Sequence, residues 1–416
     1  MSILKKSFRT LREFSAFLLF GTALSLLWAN IDYEGYHHLV DGTWFTVPWL
    51  EYHGHALKMN FHFFANDIFM VLFFGIAGKE VSESFLPGGA LSSLQKASMP
   101  MVGTLGGVVV PIGTFFALSF VLGLPSEVIE GAWAVPAATD IAYAWLFAGL
   151  IFGRGHPAVT FLLVLAIVDD MIGMAIIATY YTADPAPMWL LLVLVGMVLC
   201  EVLRRIGVKN FWAYLLIGGP LAWLGLFNAG VHASLALVPI IPFMPHAERD
   251  AGLFVEDDDA HDTMHDFEEI FAPVVDVGLF MFGFANAGVV LTGEALTGSA
   301  TWIIFLSLVV GKSVGIPMFC IVAEKLGLSL PEGMKMRELP ALGAIAGIGF
   351  TVALFMVAVA GKTYGLTEFA GGKYMPMLKL GALMSFGSAG VAYFLSWAFD
   401  TQYIPADEPE ADSAGH

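Results

Sequence analysis

Apolar runs of roughly 20 residues recur along the whole chain, separated by short polar stretches rich in turn formers. Each run is long enough to cross a hydrocarbon core of about 30 Å as a helix. The pattern predicts spans near residues 14–30, 60–84, 98–123, 132–153, 157–181, 186–204, 211–226, 230–245, 269–293, 300–323, 340–360 and 377–399. The expected fold is therefore an all-α polytopic membrane protein with about twelve transmembrane helices. The longest segment between spans, about Asn30 to Met59, holds two extended-looking pieces, Thr43 to Pro48 and His55 to Met59. They predict a small hairpin on the outer surface.

The positive-inside rule tests this count, because one missed span would invert every later loop. With the N-terminus inside, the cytoplasmic side collects Lys96, Arg154, Arg204, Arg205, Lys209, Arg249, Lys325, Lys335 and Arg337. The outer side holds Lys58, Lys362 and Lys373, with Lys379 near a span end. Both termini then fall in the cytoplasm. Lys5, Lys6, Arg9 and Arg12 before the apolar run Phe17 to Ala29 imitate a secretory signal, but no clear small-x-small cleavage site follows, and a first transmembrane helix is the expectation.

Composition agrees with the pattern: 57% of the 416 residues are hydrophobic and only 13% charged, far too apolar for a soluble domain of this size. A single transmembrane domain is expected over 1–400, with an acidic, disordered cytoplasmic tail over 401–416. The formal charge of −17 comes largely from that tail and from the stretch Glu248 to Glu269, both read as solvated segments. No basic patch fit for nucleic acid is present, so the expected partner is the lipid bilayer. Two cysteines, Cys200 and Cys320, provide neither a metal framework nor a disulfide scaffold, and no cofactor is expected.

A charged side chain at mid-membrane costs at least about 2.5–3.5 kcal/mol, so ionisable residues inside the spans are functional candidates. Asp140, Asp169, Asp170 and Lys312 stand out. Asp169 and Asp170 lie about a dozen residues past Pro157, roughly 18 Å into the core at 1.5 Å per residue. Asp140 and Lys312 reach a similar depth in their own spans. Two of the spans are predicted to break. Pro136 interrupts Val135 to Asp140, and Gly343, Gly347 and Gly349 interrupt the eleventh span. Unwound backbone at that depth survives only where protein or a watery cavity satisfies it.

The third to fifth spans pair by position with the tenth to twelfth, which predicts inverted-topology core repeats over about 98–181 and 300–399, with broken, crossing fourth and eleventh helices. The motifs Val135 to Ala144, Leu165 to Asp170, Gly230 to Ala236, Phe284 to Val289, Gly311 to Ile316 and Gly347 to Thr351 resemble, in order, those of the NhaA sodium–proton antiporters. These antiporters are themselves among the transporters from which the rule linking broken helices in inverted repeats to ion sites was drawn.

The resemblance implies exchange of sodium, and also lithium, for protons across a bacterial inner membrane, serving sodium and pH homeostasis. It makes Asp170 the principal sodium ligand and Asp169 the partner of Lys312 in one state and a helper at the ion in another. Adjacent helical residues point about 100° apart, so the two carboxylates cannot play identical roles. Sodium, a hard cation, wants oxygen ligands, which Asp170, Asp169, the Thr139 hydroxyl and freed carbonyls supply. Asp140 and Lys312 are expected to offset the half-helix ends at the breaks, each end carrying roughly half a charge.

Weaker candidates for gating or pH response are Glu80, Asp67 and His232, each of which also reads as an ordinary satisfied polar residue. Val81 to Ser84 lack the basic and acidic pair expected in the family's cytoplasmic sensor, and Asp257 to Glu269 lack its basic residues. His246, His261 and His265 are possible substitutes. A homodimer through the outer segment Thr43 to Met59 is a further expectation. Three other classes compete with this reading: a sodium-coupled solute symporter, a passive channel and an intramembrane aspartyl enzyme. The small ionic centre disfavours the first. The second lacks a filter-like carbonyl run. The third requires Gly-x-Gly-Asp, whereas Gly347-Ile348-Gly349 is followed by Phe350.

Overall fold

A computed structural model describes residues 16–52, 55–87, 89–153, 155–182, 185–246, 262–367 and 372–402. The acidic tail beyond 402, most of the acidic stretch with His261, and the basic N-terminus lie outside these residues. The chain is predominantly helical. In order come α1 (Ala16–Ile31), α2 (Tyr33–Asp41), a hairpin of β1 (Phe45–Tyr52) and β2 (His55–Met59), then α3 (Phe61–Ser84) and α4 (Leu94–Leu122). The first bent pair follows, α5 (Ser126–Ala137) and α6 (Ile141–Phe152), and then α7 (Pro157–Thr179), α8 (Pro187–Arg205), α9 (Phe211–Asn228) and α10 (Thr263–Asn286). A short α11 (Gly293–Thr297) leads to α12 (Ser299–Lys325), a second bent pair of α13 (Met336–Ala346) and α14 (Phe350–Thr363), and α15 (Tyr374–Ala398).

Among the described residues, seven helices are long and apolar enough to cross a membrane, or up to nine if each bent pair is one span. Helix starts coincide with side chains that satisfy otherwise orphaned N–H groups. Asn60 accepts from Phe63 N at 2.8 Å, Asn210 from Trp212 N at 3.0 Å and Asp262 from His265 N at 2.8 Å. Large apolar side chains such as Phe120, Val121, Leu191 and Leu216 stay exposed on the periphery, a surface suited to lipid rather than water.

One sequence expectation is overturned and two gain detail. The predicted span 230–245 is no α-helix but a chain of tight turns, with 3₁₀ segments at Ala233–Leu235 and Ile241–Phe243. Pro239, Pro242 and Pro245 withhold the donors a regular helix needs there. The outer segment contains the hairpin, with Phe45 opposite Met59 and Val47 opposite Leu57, but it also contains α2. Asp32 starts that helix by accepting from Gly35 N at 3.0 Å. Finally, α3 opens with a π-helical turn, Phe64–Phe69, that carries Asp67.

The core is set by helices that approach with no side chain between them. A Cβ on Gly106 of α4 would sit 2.2 Å from the Gly315 carbonyl oxygen of α12, and one on Gly315 would sit 2.2 Å from that of Gly106. This reciprocal contact locks α4 against α12 at backbone distance. It brings Lys312, on α12, up to the two bent pairs.

Candidate functional site

The bends are 45° at α5/α6 and 46° at α13/α14. In the first, a 3₁₀ turn over Val135–Ala137 gives way to extended backbone at Ala138 and Asp140 before α6 begins. Pro136 supplies no N–H and suits the start of that turn. In the second, Gly347, Ile348 and Gly349 separate α13 from α14. The two breaks lie against each other: Asp140 N donates to Ile348 O at 2.7 Å. Small residues permit this, since a Cβ on Gly349 would already be 3.2 Å from Ala138 O.

Around this crossing the structure gathers Thr139, Asp140, Asp169 and Lys312. The Lys312 ammonium is fully buried and donates to Asp169 Oδ2 at 2.7 Å, to Ala137 O at 2.6 Å and to Thr139 Oγ1 at 2.5 Å. Thr139 Oγ1 in turn lies 2.5 Å from Asp169 Oδ2 and 3.1 Å from Ala346 O, and its single proton serves one of them at a time. The lysine thus touches the last carbonyl of the first half-helix, where the dipole is negative.

Asp140 occupies the opposite electrical position. Its Oδ1 accepts from Tyr143 N at 3.4 Å in the first turn of α6, and its Oδ2 accepts from Thr351 N at 3.0 Å and from the Thr351 hydroxyl in the first turn of α14. One carboxylate therefore faces two helix N-termini, both positive ends. Thr351 lies inside a quoted motif, but no local signal marks it as the partner of a residue 211 positions away.

Asp169 and Asp170 diverge as the helical 100° step requires. Asp169 is buried, one oxygen held by Lys312 and Thr139, while its other, Oδ1, has no hydrogen-bond donor among the described residues. Asp170 is half-buried. Among the described residues its carboxylate makes no hydrogen bond and no ion pair. Two anionic oxygen sources thus stand side by side with donors on one of them only.

The remaining candidates are elsewhere. Glu80 is half-buried near the end of α3, and its neighbour Lys79, overlooked in the sequence, is buried. Lys79 Nζ sits 2.7 Å from Glu83 and 2.6 Å from Glu268. A basic–acidic cluster is therefore assembled although Val81 to Ser84 lack one. The i, i+4 spacing of Lys79 and Glu83 was legible, whereas Glu268 comes from α10. His246 is exposed, and His265 lies in the first turn of α10. Asp67 and His232 meet at a cavity of about 1140 Å³ near the hairpin, far from Glu80 along α3. His232 Nδ1 pairs with Ser234 Oγ at 2.8 Å. A network of the half-buried His62 with the buried Asn66 and Asn286, at 2.8–3.3 Å, ties α3 to α10 beside this cavity. No group of three or more His, Cys, Asp or Glu side chains fit to hold a metal ion occurs among the described residues.

The chain matches the sequence profile of the family described as Na+/H+ antiporter 1 over residues 5–395. It is 46% identical to the Na(+)/H(+) antiporter NhaA of Geobacter sulfurreducens, over 97% of this chain and 100% of that protein. It is also 46% identical to the Na(+)/H(+) antiporter NhaA of Geotalea uraniireducens, over 93% and 95%. Among solved structures it resembles the sodium proton antiporter MjNhaP1 of Methanocaldococcus jannaschii at pH 8, with a TM-score of 0.50, 16% identity, and 82% and 85% of the two chains covered, a likeness of fold.

Proposed function

From the premise that this chain belongs to the Na+/H+ antiporter 1 family and exchanges sodium ions for protons across a membrane, we propose that Asp170 is the principal sodium ligand and proton acceptor. The observation that carries this reading is the asymmetry of the pair. Asp169 is engaged by Lys312 and Thr139, while the half-buried Asp170 beside it makes no hydrogen bond and no ion pair among the described residues. A carboxylate without fixed donors is free to take either a proton or a hard cation, and the two then compete for the same oxygens. Asp169 Oδ1 and Thr139 complete an all-oxygen site when Lys312 withdraws. Asp140 and Lys312 hold the helix ends at the crossing and carry no ion. Coupling follows when the site turns from one side to the other only loaded.

Finer points belong to the same proposal. The chain crosses a bacterial inner membrane about twelve times, as one domain of two inverted repeats around broken fourth and eleventh spans. This count takes each bent pair as one crossing and includes α1, the turns over 233–244 and α10. Both termini are cytoplasmic, lithium replaces sodium, and the outer hairpin joins two copies. Glu80, with the Lys79 cluster close by, adjusts the response to cytoplasmic pH.

The test uses everted vesicles with an imposed proton gradient. Sodium or lithium collapses the gradient, potassium does not, and Asp170→Asn abolishes the collapse. Normal exchange by Asp170→Asn overturns the assignment.

A further inference from the structure

The cavity near the hairpin contains chemistry that the crossing does not use. Asp67 lines it from the π-helical turn of α3, and its buried side chain is only 7% exposed. Asp67 Oδ1 is 3.6 Å from Lys362 Nζ, on α14, and 3.8 Å from His232 Nε2. Its backbone carbonyl accepts from the Trp223 indole at 3.0 Å, which anchors the turn. Compared with Lys312 and Asp169 at 2.7 Å, the pair with Lys362 is loose, outside the distance of a charge-assisted hydrogen bond. The Lys362 side chain is a third exposed, so its ammonium keeps access to water when it moves off Asp67.

The same half-helix links this cavity to the crossing. Phe355, Ala358, Val359 and Lys362 all line the cavity from α14. Phe355 is fully buried, its ring 5.1 Å from both Phe74 and His232 and 6.2 Å from Phe282. It forms an aromatic floor about one turn from Thr351, where Asp140 holds the start of α14. Lys362 lies about two turns beyond Phe355 on the cavity side.

We propose that Asp67 is a second cation station, on the outer side of the aromatic floor, and that Lys362 is a tethered cation which occupies it when no sodium ion does. An ion leaving the crossing outward meets Asp67 next, and Lys362 returning to the carboxylate expels it. Lys373, Lys379 and Lys58 line the same cavity, and besides Asp67 only Asp41 brings a carboxylate to its described lining, so sodium held there stands among an excess of cations and is released readily. Lys362 is a positioning residue: it sets the sodium affinity presented to the outer face, while Asp170 sets whether exchange occurs. This inference rests on the exchange reading and the orientation proposed above.

The experiment compares the two faces of one active protein. Apparent KM for sodium is measured in everted vesicles, where sodium meets the cytoplasmic face, and in right-side-out vesicles, where it meets the outer face. Lys362→Gln is expected to lower the outer-face KM about three- to five-fold more than the cytoplasmic-face KM, the range of a partly exposed ion pair, without raising the maximal rate. Lys362→Arg should restore the wild-type ratio of the two KM values, and adding Asp67→Asn to Lys362→Gln should erase the outer-face gain. An equal change on both faces, or no change on the outer face, overturns the proposal and leaves Asp170 untouched. Failure of the exchange reading instead shows as sodium-independent gradients in the wild type.

Discussion

At the scale of residues, burial decides which charges can be removed singly. Lys312 and Asp169 are both buried, and Asp169 Oδ1 already lacks a donor among the described residues. Removing one member of a buried pair leaves the other uncompensated, at about 3–5 kcal/mol, whereas removing both costs far less. Lys312→Met is therefore expected to lower thermal stability in detergent strongly, and adding Asp169→Asn to recover most of the loss. A double variant no more stable than Lys312→Met would contradict the pairing. Thr351→Val removes the hydroxyl that Asp140 accepts from but keeps the backbone donor, and should cost about 1.5–3 kcal/mol by the same thermal assay.

Among the elements, α4 and α12 test whether backbone contact holds the core. Gly106→Ala puts a methyl 2.2 Å from Gly315 O, while Gly113→Ala, on the same helix, has nothing within 4 Å. Overpacking costs about 1–3 kcal/mol, and an unopposed Gly→Ala in a helix gains about 0.5–1 kcal/mol. The first variant should thus unfold at lower temperature than wild type and the second at slightly higher temperature. Along α13, a Cβ at Gly343 would lie 2.6 Å from Lys312 O. Gly343→Val is expected to displace Lys312 and reduce exchange at least ten-fold in vesicles, with the protein still reaching the membrane. The outer hairpin is a separable element. Thr46→Cys, with the buried Cys200 and Cys320 replaced, should form a disulfide-linked dimer on a non-reducing gel.

For the whole molecule the decisive quantity is the charge moved per cycle. If two protons enter per sodium ion leaving, as the family resemblance implies, one net charge crosses, worth about 2.3 kcal/mol per 100 mV. In proteoliposomes the sodium gradient at equilibrium should then shift about fifty-fold per 100 mV of imposed potential, read with a sodium-sensitive dye. A gradient indifferent to potential would mean one proton per ion.

By itself the sequence determined the solvent, the helical class and which ionisable residues stand inside the apolar runs. Apolar period and length follow from the bilayer, and a charge inside an apolar run is conspicuous wherever it folds. It also located both breaks, because proline and glycine act on their own backbone. Partnerships between distant positions were decided only in three dimensions. Thr351 meets Asp140 and Glu268 meets Lys79 because helices pack, and no local pattern encodes a neighbour hundreds of residues away. The segment 230–245 shows the opposite failure: hydropathy sees an apolar run there, and three prolines deny it a helix. Asp169 and Asp170 were adjacent and alike as letters. Tertiary packing separated them, by turning one toward a buried ammonium and leaving the other half-buried, with no hydrogen bond or ion pair among the described residues.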